Sequence, residues 1–254
     1  MPLEVDLSIV AARRPELLEL TLRSFHQNLL RHLRVRRLYA NIDPIWGSAA
    51  DAEAVKAVCR LYFSDTVFRE PSEPSFCAAV QWCWSQSDRK WFLHLEDDWC
   101  LVWRIDVQRL LREMQDERVG QISFFNHGKA WRRGVWSRKF TTSPSLIRSI
   151  VGRAAAQHMN TEGDPEKQLY DGRNPALMQA ISAYRHRFHG SRFAPKCIVD
   201  TGREWRDARS IVKHRTDGVS TWTSSAQDTL GTWTRAALDK YEKRLRLSRF
   251  LPRI

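Results

Sequence analysis

Along the first half of the chain, short apolar runs alternate with stretches whose apolar residues recur every three or four positions. Leu7-Ser8-Ile9-Val10-Ala11-Ala12 is a continuous run ending in small residues. After Pro15, which suits a first helical turn, Leu17, Leu18, Leu22, Phe25 and Leu29 recur at helical spacing. The same reading predicts a strand over residues 35–42 ending in Asp43-Pro44, a helix over 50–62, a strand over 66–69 and a helix over 75–84. A strand over 91–95 follows, then a helix over 105–114, a strand over 119–125, a strand or turn at 140–144 and a helix over 146–158. The segment 165–183 reads as a helix interrupted near Gly172-Arg173-Asn174-Pro175, 197–200 as a last strand, and 233–250 as a basic amphipathic helix. Between them, 126–139 is a long polar loop. Strands alternating with helices predict an α/β fold in which helices flank a mostly parallel sheet. Ligands of such sheets gather at the carboxyl edge.

That edge carries the chain's most pointed chemistry. The apolar strand Trp91-Phe92-Leu93-His94-Leu95 ends in Glu96-Asp97-Asp98 and is followed by Trp99 and a second apolar run, Leu101-Val102-Trp103. Three like charges at a strand end repel one another, so a cation is expected to neutralise them, and hard oxygen ligands favour Mg²⁺ or Mn²⁺. The plainer alternative, a solvated acidic turn, suits an isolated triplet better than one held between two apolar runs.

Length and charge narrow the classes. At 254 residues the chain makes one large domain or a domain with an appendage. We divide it into a nucleotide-binding and catalytic part, 1–200, and a basic segment, 201–254, that completes the site. No run of about 18 apolar residues occurs, and the opening residues lack the pattern of a signal peptide, so a cytoplasmic location is expected. The five cysteines form no Cys-x-x-Cys pair and read as buried thiols. Residues 1–117 hold 15 Lys/Arg against 18 Asp/Glu, whereas 118–254 hold 26 against 11, a net of +15. The stretch 118–161 has eight basic residues and no acidic one, which suggests a polyanion or an anionic surface as partner.

With these pieces in order, the chain resembles the GT-A glycosyltransferases, particularly family 2-like enzymes. The resemblance rests on Ser8-Ile9-Val10 through Arg13-Arg14-Pro15-Glu16, on Asn41-Ile42-Asp43, and on Glu96-Asp97-Asp98 at the place of that fold's Asp-x-Asp motif, Glu96 standing where Asp is commoner. It implies a nucleotide-sugar donor, with UDP-sugar first. Ala11, Ala12, Arg13 and Asp43 would line the nucleotide pocket, Asp97 would lie near ribose or diphosphate, and Asp98 with Glu96 would bind the metal. It also implies a base at the start of a helix, Asp164 or Glu166 of Gly163-Asp164-Pro165-Glu166, although Asp before Pro is equally an ordinary N-cap. His214 would be a third metal ligand, and Arg203, Arg206 or Lys213 would pair with phosphate. As solvated alternatives, Arg13 and Arg14 are simply exposed, and Asp43 is a turn former. The Gly202-Arg203-Glu204-Trp205 region is similar to one found in bacteriophage-type glycosyltransferases.

The acceptor is read from the acid-free stretch. Lys129, Trp131, Arg132, Arg133, Trp136, Arg138 and Lys139 interleave cations with flat rings, which pair with phosphates and stack on bases. Tyr184-Arg185-His186-Arg187-Phe188 and Arg192-Phe193 continue the theme. DNA carrying a hydroxymethylated pyrimidine is the expected acceptor. The rival is a surface-glycan or lipid-linked acceptor, with Leu238, Tyr241, Leu245, Leu247 and Phe250 resting on anionic lipid. A third class is a non-catalytic nucleic-acid-binding protein that keeps the fold alone.

Overall fold

The computed structural model describes residues 3–124, 136–137, 139–170, 173–190, 196–216, 219–224 and 232–248, with only the backbone described at 136–137, 170, 212–216, 219–224 and 232–238. The first half is a run of strand and helix pairs: β1 (Leu3–Ala12), α1 (Pro15–Asn28), β2 (Leu33–Asp43), α2 (Ala49–Tyr62), β3 (Thr66–Arg69), α3 (Phe76–Gln86) and β4 (Trp91–Glu96). Next come β5 (Trp99–Leu101), α4 (Val107–Met114), β6 (Val119–Ser123), β7 (Trp136–Ser137), β8 (Ser145–Arg148) and α5 (Ser149–His158). The remainder is α6 (Pro165–Tyr170), α7 (Pro175–Ala180), β9 (Arg185–Phe188), β10 (Ile198–Asp200), α8 (Gly202–Asp207), the hairpin β11 (Ile211–Thr216) and β12 (Val219–Ser224), and α9 (Thr232–Ser248).

Eight strands form the main sheet in the order β3-β2-β1-β4-β8-β6-β9-β7. β3, β2, β1 and β4 run parallel, as do β6 and β9, while β8 and β7 run against their neighbours. β1 sits inside the parallel half and is buried over its last eight residues, which explains its unbroken apolar run. Successive residues of β4 face opposite sides. Leu93 and Leu95 join one core with Leu18, Leu22, Val55 and Leu110, and Phe92 joins the other with Val80, Trp84, Val151 and Leu177. Every cysteine is buried and free of disulfides, as the reading of buried thiols expects, and burial pushes the Cys59, Cys83, Cys100 and Cys197 thiols up to about 12.

Three segments depart from the expected pattern. Residues 145–148 are strand β8, not the start of a helix, and the helix begins at Ser149. Leu146 and Ile147 belong to opposite cores, an alternation that a four-residue apolar run does not reveal from sequence. The Arg185–Phe188 segment, read as part of an acceptor surface, is strand β9 between β6 and β7, with His186 buried and its Nδ1 2.7 Å from the Lys139 carbonyl. The β11–β12 hairpin follows what had read as the last strand.

Helix α9 forms as expected, yet its apolar face is internal. Tyr241 and Leu245 pack with Leu20, Cys100 and Val102, and Ser248 hydrogen-bonds Asn28. Arg23 pairs with Glu242 at 3.0 Å, and Gln27 donates to the Leu245 carbonyl. Of the apolar residues that suggested a membrane surface, Leu247 is exposed, the side chain of Leu238 is not described, and Phe250 lies outside the described residues. Among the described residues no helix is long and apolar enough to cross a membrane. Removing the buried ring in Tyr241→Ala is expected to cost about 3 to 5 kcal/mol in urea unfolding, against less than about 0.5 kcal/mol for Leu247→Ser. Equal effects would contradict the docking of α9.

Candidate active site at the carboxyl edge

Parallel pairing of β1 with β4 sets Val10 opposite Glu96, so the chain beyond each strand emerges at one edge. The Asp97 amide donates to the Val10 carbonyl at 3.1 Å, and the Ala12 amide returns a bond to Asp97 Oδ2 at 3.0 Å. Thr21 of α1 donates to the Asp97 carbonyl at 2.7 Å. Arg14 completes the clamp. Its guanidinium grips Asp97 through Nε at 3.1 Å and Nη2 at 2.5 Å, and reaches Asp98 Oδ2 at 3.3 Å. Both partners of the bidentate pair are buried, a geometry suited to Arg but not Lys. The ring of Trp46 lies 4.7 Å from that guanidinium and the ring of Trp205 5.2 Å. Trp46 holds a left-handed backbone, φ 60°, a strained setting for a bulky residue. Burial works against the Arg14 charge, but Asp97 and Asp98 hold its pKa above the ordinary value.

Asp98 occupies the turn between β4 and β5, where β10 pairs with β5 and brings Asp200 opposite Trp99. The amides of Thr201 and Gly202 and the Thr201 hydroxyl converge on the Asp98 carbonyl. Arg206 of α8 stands 3.5 Å from Asp98 Oδ2. Gly202 is there for room: a Cβ would fall 2.0 Å from Asp98 Oδ2. Trp205 donates to Glu16 at 3.2 Å, tying α8 to the first turn of α1.

Glu96 accepts from Trp99 Nε1 at 2.9 Å. Its pKa is raised well above the ordinary carboxylate value, first by burial, then by Asp98, with Glu166 and Asp97 also contributing. Burial pushes Asp97 up to about 6 against the pull of Arg14, with Asp98 adding to the rise. Asp200 is raised by burial and by Asp98. Burial is the first cause for all three acids, and repulsion from Asp98 adds to it.

The other expected residues are placed as follows. Asp43 ends β2 beside Ala12, is buried, accepts from Asn41 at 2.8 Å and is raised by burial. Arg13 leans on the loop after β2, with Nη1 3.5 Å from the Gly47 carbonyl. Asp164 accepts from the amides of Glu166 and Lys167 and so caps α6. Glu166, although exposed, accepts from the buried Thr141 Oγ1 at 3.0 Å and contributes to the Glu96 field. Gln121 fixes Thr141 by donating to its carbonyl and accepting from its amide. The Arg203 amide bonds Asp200 Oδ1, and its side chain is exposed. His214 lies on β11 opposite Thr221, its side chain not described. Lys129, Trp131, Arg132, Arg133 and Arg138 lie outside the described residues. Trp136 is placed by backbone only, opposite Arg187, and Lys139 precedes Phe140.

Sequence reasoning missed the bidentate role of Arg14, whose burial overturns the solvated alternative, along with Trp46, Thr141 and the steric need for Gly202. Among the described residues no group of three or more His, Cys, Asp and Glu side chains is arranged to hold a metal ion.

The mannosyltransferase PcManGT from Pyrobaculum calidifontis, solved in complex with GDP-Man and Mn²⁺, is similar to the chain with a TM-score of 0.50 at 11% identity, over 72% of this chain and 54% of that one. This chain has the GT-A fold. It spans about half the length of that structure. The galactosyltransferase LgtC in complex with donor and acceptor sugar analogs aligns at TM-score 0.49 and 11% identity over 98% of each chain. S. aureus TarS aligns at 0.46 and 9% over 72% of this chain and 57% of that one. No protein-family model and no curated protein matches the sequence.

Within this GT-A edge, Arg14→Ala strands a buried carboxylate and is expected to destabilise the protein by about 3 to 5 kcal/mol in urea unfolding. A loss below about 1 kcal/mol would contradict the buried pair.

Proposed function

We propose that the chain is a glycosyltransferase that moves a sugar from a nucleotide-sugar donor to a hydroxyl acceptor. One observation carries this reading: the acidic turn Glu96-Asp97-Asp98, with Asp200 brought beside it by β10, stands at the carboxyl edge of a GT-A sheet. The mannosyltransferase of like fold binds GDP-Man and Mn²⁺, which supports a nucleotide-sugar and a divalent ion here. The donor set suits Mg²⁺ or Mn²⁺, since such ions at phosphate sites take one or two protein carboxylates and leave the remaining positions to phosphate and water. Asp98 and Glu96 would supply the carboxylates, with His214 as a further candidate. A bound divalent ion supplies Lewis-acid stabilisation of the diphosphate leaving group. Ala11, Ala12, Arg13 and Asp43 would border the nucleotide, Arg14 holds Asp97 in place, and Arg203 and Arg206 would pair with the diphosphate. Residues 201–254 complete the site through the contacts of Thr201, Gly202 and Arg206 with Asp98.

Glu166 is the better base. It lies within the field of Glu96 and is oriented by Thr141, whereas Asp164 is engaged as a cap. It would take the proton from the acceptor hydroxyl as that oxygen attacks the anomeric carbon.

For the acceptor we favour a hydroxymethylated pyrimidine in phage-type DNA, supported by the +15 half and the acid-free stretch that holds Trp131 and Trp136. Burial of Tyr241 and Leu245 removes part of the motive for a lipid-linked acceptor.

The tests use wild-type protein, UDP- and GDP-sugars, Mn²⁺, and unmodified or hydroxymethylated DNA, following nucleotide release and product mass. Asp98→Ala is expected to lower nucleotide release at least 100-fold; unchanged turnover would remove the metal role. Glu166→Gln should lower kcat by 10² to 10⁴ with little change in donor KM. Asp164→Asn should instead cost about 1 kcal/mol of stability. The reverse ranking in kcat would make Asp164 the base.

A further inference from the structure

Away from the carboxylates, helix α4 and strand β9 enclose an open cavity of about 370 Å³ lined by Arg109, Arg112, Glu113, Asp116 and Arg187. Three guanidiniums from two elements face one space. The two acids within it already have partners. Glu113 is buried and lies 2.7 Å from His189 Nδ1, 3.3 Å from Arg109 Nε and 3.5 Å from Arg187 Nε. Burial would raise the Glu113 pKa, but His189 and the two arginines hold it below the ordinary value, so it stays ionised. Asp116 is paired with Arg118 at 3.1 Å. Glu113 acts as an internal pin that aligns Arg109 and Arg187, while Arg112 projects from the same helix to the exposed rim.

Position gives the cavity a ligand class. Arg187 pairs in register with Trp136 of the edge strand β7, which belongs to the acid-free stretch 118–161. Arg118 and Arg185 stand beside Asp116 on the same flank, the Arg185 amide bonding the Arg118 carbonyl. Guanidiniums held in fixed orientation recognise phosphate oxygens through paired donors. We propose that the Arg109-Arg112-Arg187 cavity is a seat for a backbone phosphodiester of a nucleic-acid acceptor, beside the edge strands β9 and β7. The proposal rests on the DNA-acceptor half of the functional reading and adds to it where the strand is gripped. Such a contact sets register and affinity and reads no base.

The test is fluorescence anisotropy of a labelled 20-base-pair duplex with the full chain, titrated at several salt concentrations. Arg112→Ala, which leaves the Glu113 network untouched, and Arg109→Ala/Arg112→Ala are compared with Arg34→Ala, an exposed control near the far edge. Each cavity arginine removed should weaken binding roughly ten-fold and flatten the slope of log K against log salt by about 0.9. Arg34→Ala should leave both unchanged. Wild-type slope and affinity in the double variant would overturn the cavity assignment while leaving a DNA acceptor standing. Wild-type protein without salt-dependent DNA binding would overturn both. Loss of binding to phosphatidylserine vesicles with DNA binding unaltered would also overturn it, by making the cavity a lipid-headgroup site.

Discussion

The buried pair between Arg14 and Asp97 is the constraint on which the edge of this sheet depends. A carboxylate removed from water needs a partner whose own charge is secure, and a guanidinium meets that need with two parallel bonds. Arg14 follows β1 and Asp97 follows β4, so the pair fastens the ends of two adjacent parallel strands. Trp46 and Trp205 enclose it from the β2 loop and from α8. Asp98 is thereby presented at the rim, between Arg206 and the glycine that leaves it room. Loss of the pair would loosen the site and the strand ends together.

A division of labour among the acids follows from this arrangement. Asp97 is structural, committed to Arg14 and the Ala12 amide. Asp98 and Glu96 stand at the front of the edge, with Asp200 brought in from β10. Across from them, Glu166 hangs from Thr141, itself fixed by Gln121 of β6. Under the proposed function, a donor held at the first group would leave Glu166 on the other side to accept a proton.

The parallel half of the sheet was legible in the sequence because β1, β4 and the end of β2 are buried on both faces and its helices carry one apolar face each. β3 was read at its true boundaries. β8 and β9 were not, since each owes its strand form to neighbours distant in sequence: β8 is buried between β4 and β6, and β9 carries two arginines that local pattern assigns to a surface. The carboxylate triplet stood out, but its internal roles did not, because which acid meets Arg14 is a matter of tertiary register. Likewise the fit of Asp98 against Gly202 joins residues far apart in the chain. Helix α9 was seen as amphipathic, and only packing against α1 decides where its apolar face lies.

The most direct test of the central claim is the electron paramagnetic resonance of Mn²⁺ titrated with the protein in the presence of a nucleoside-diphosphate sugar. The six-line signal of free Mn²⁺ should fall to an endpoint of one ion per chain, and Asp98→Ala should restore it. An undiminished signal across the UDP- and GDP-sugars, with the wild-type protein folded, would contradict a divalent-ion site at these carboxylates.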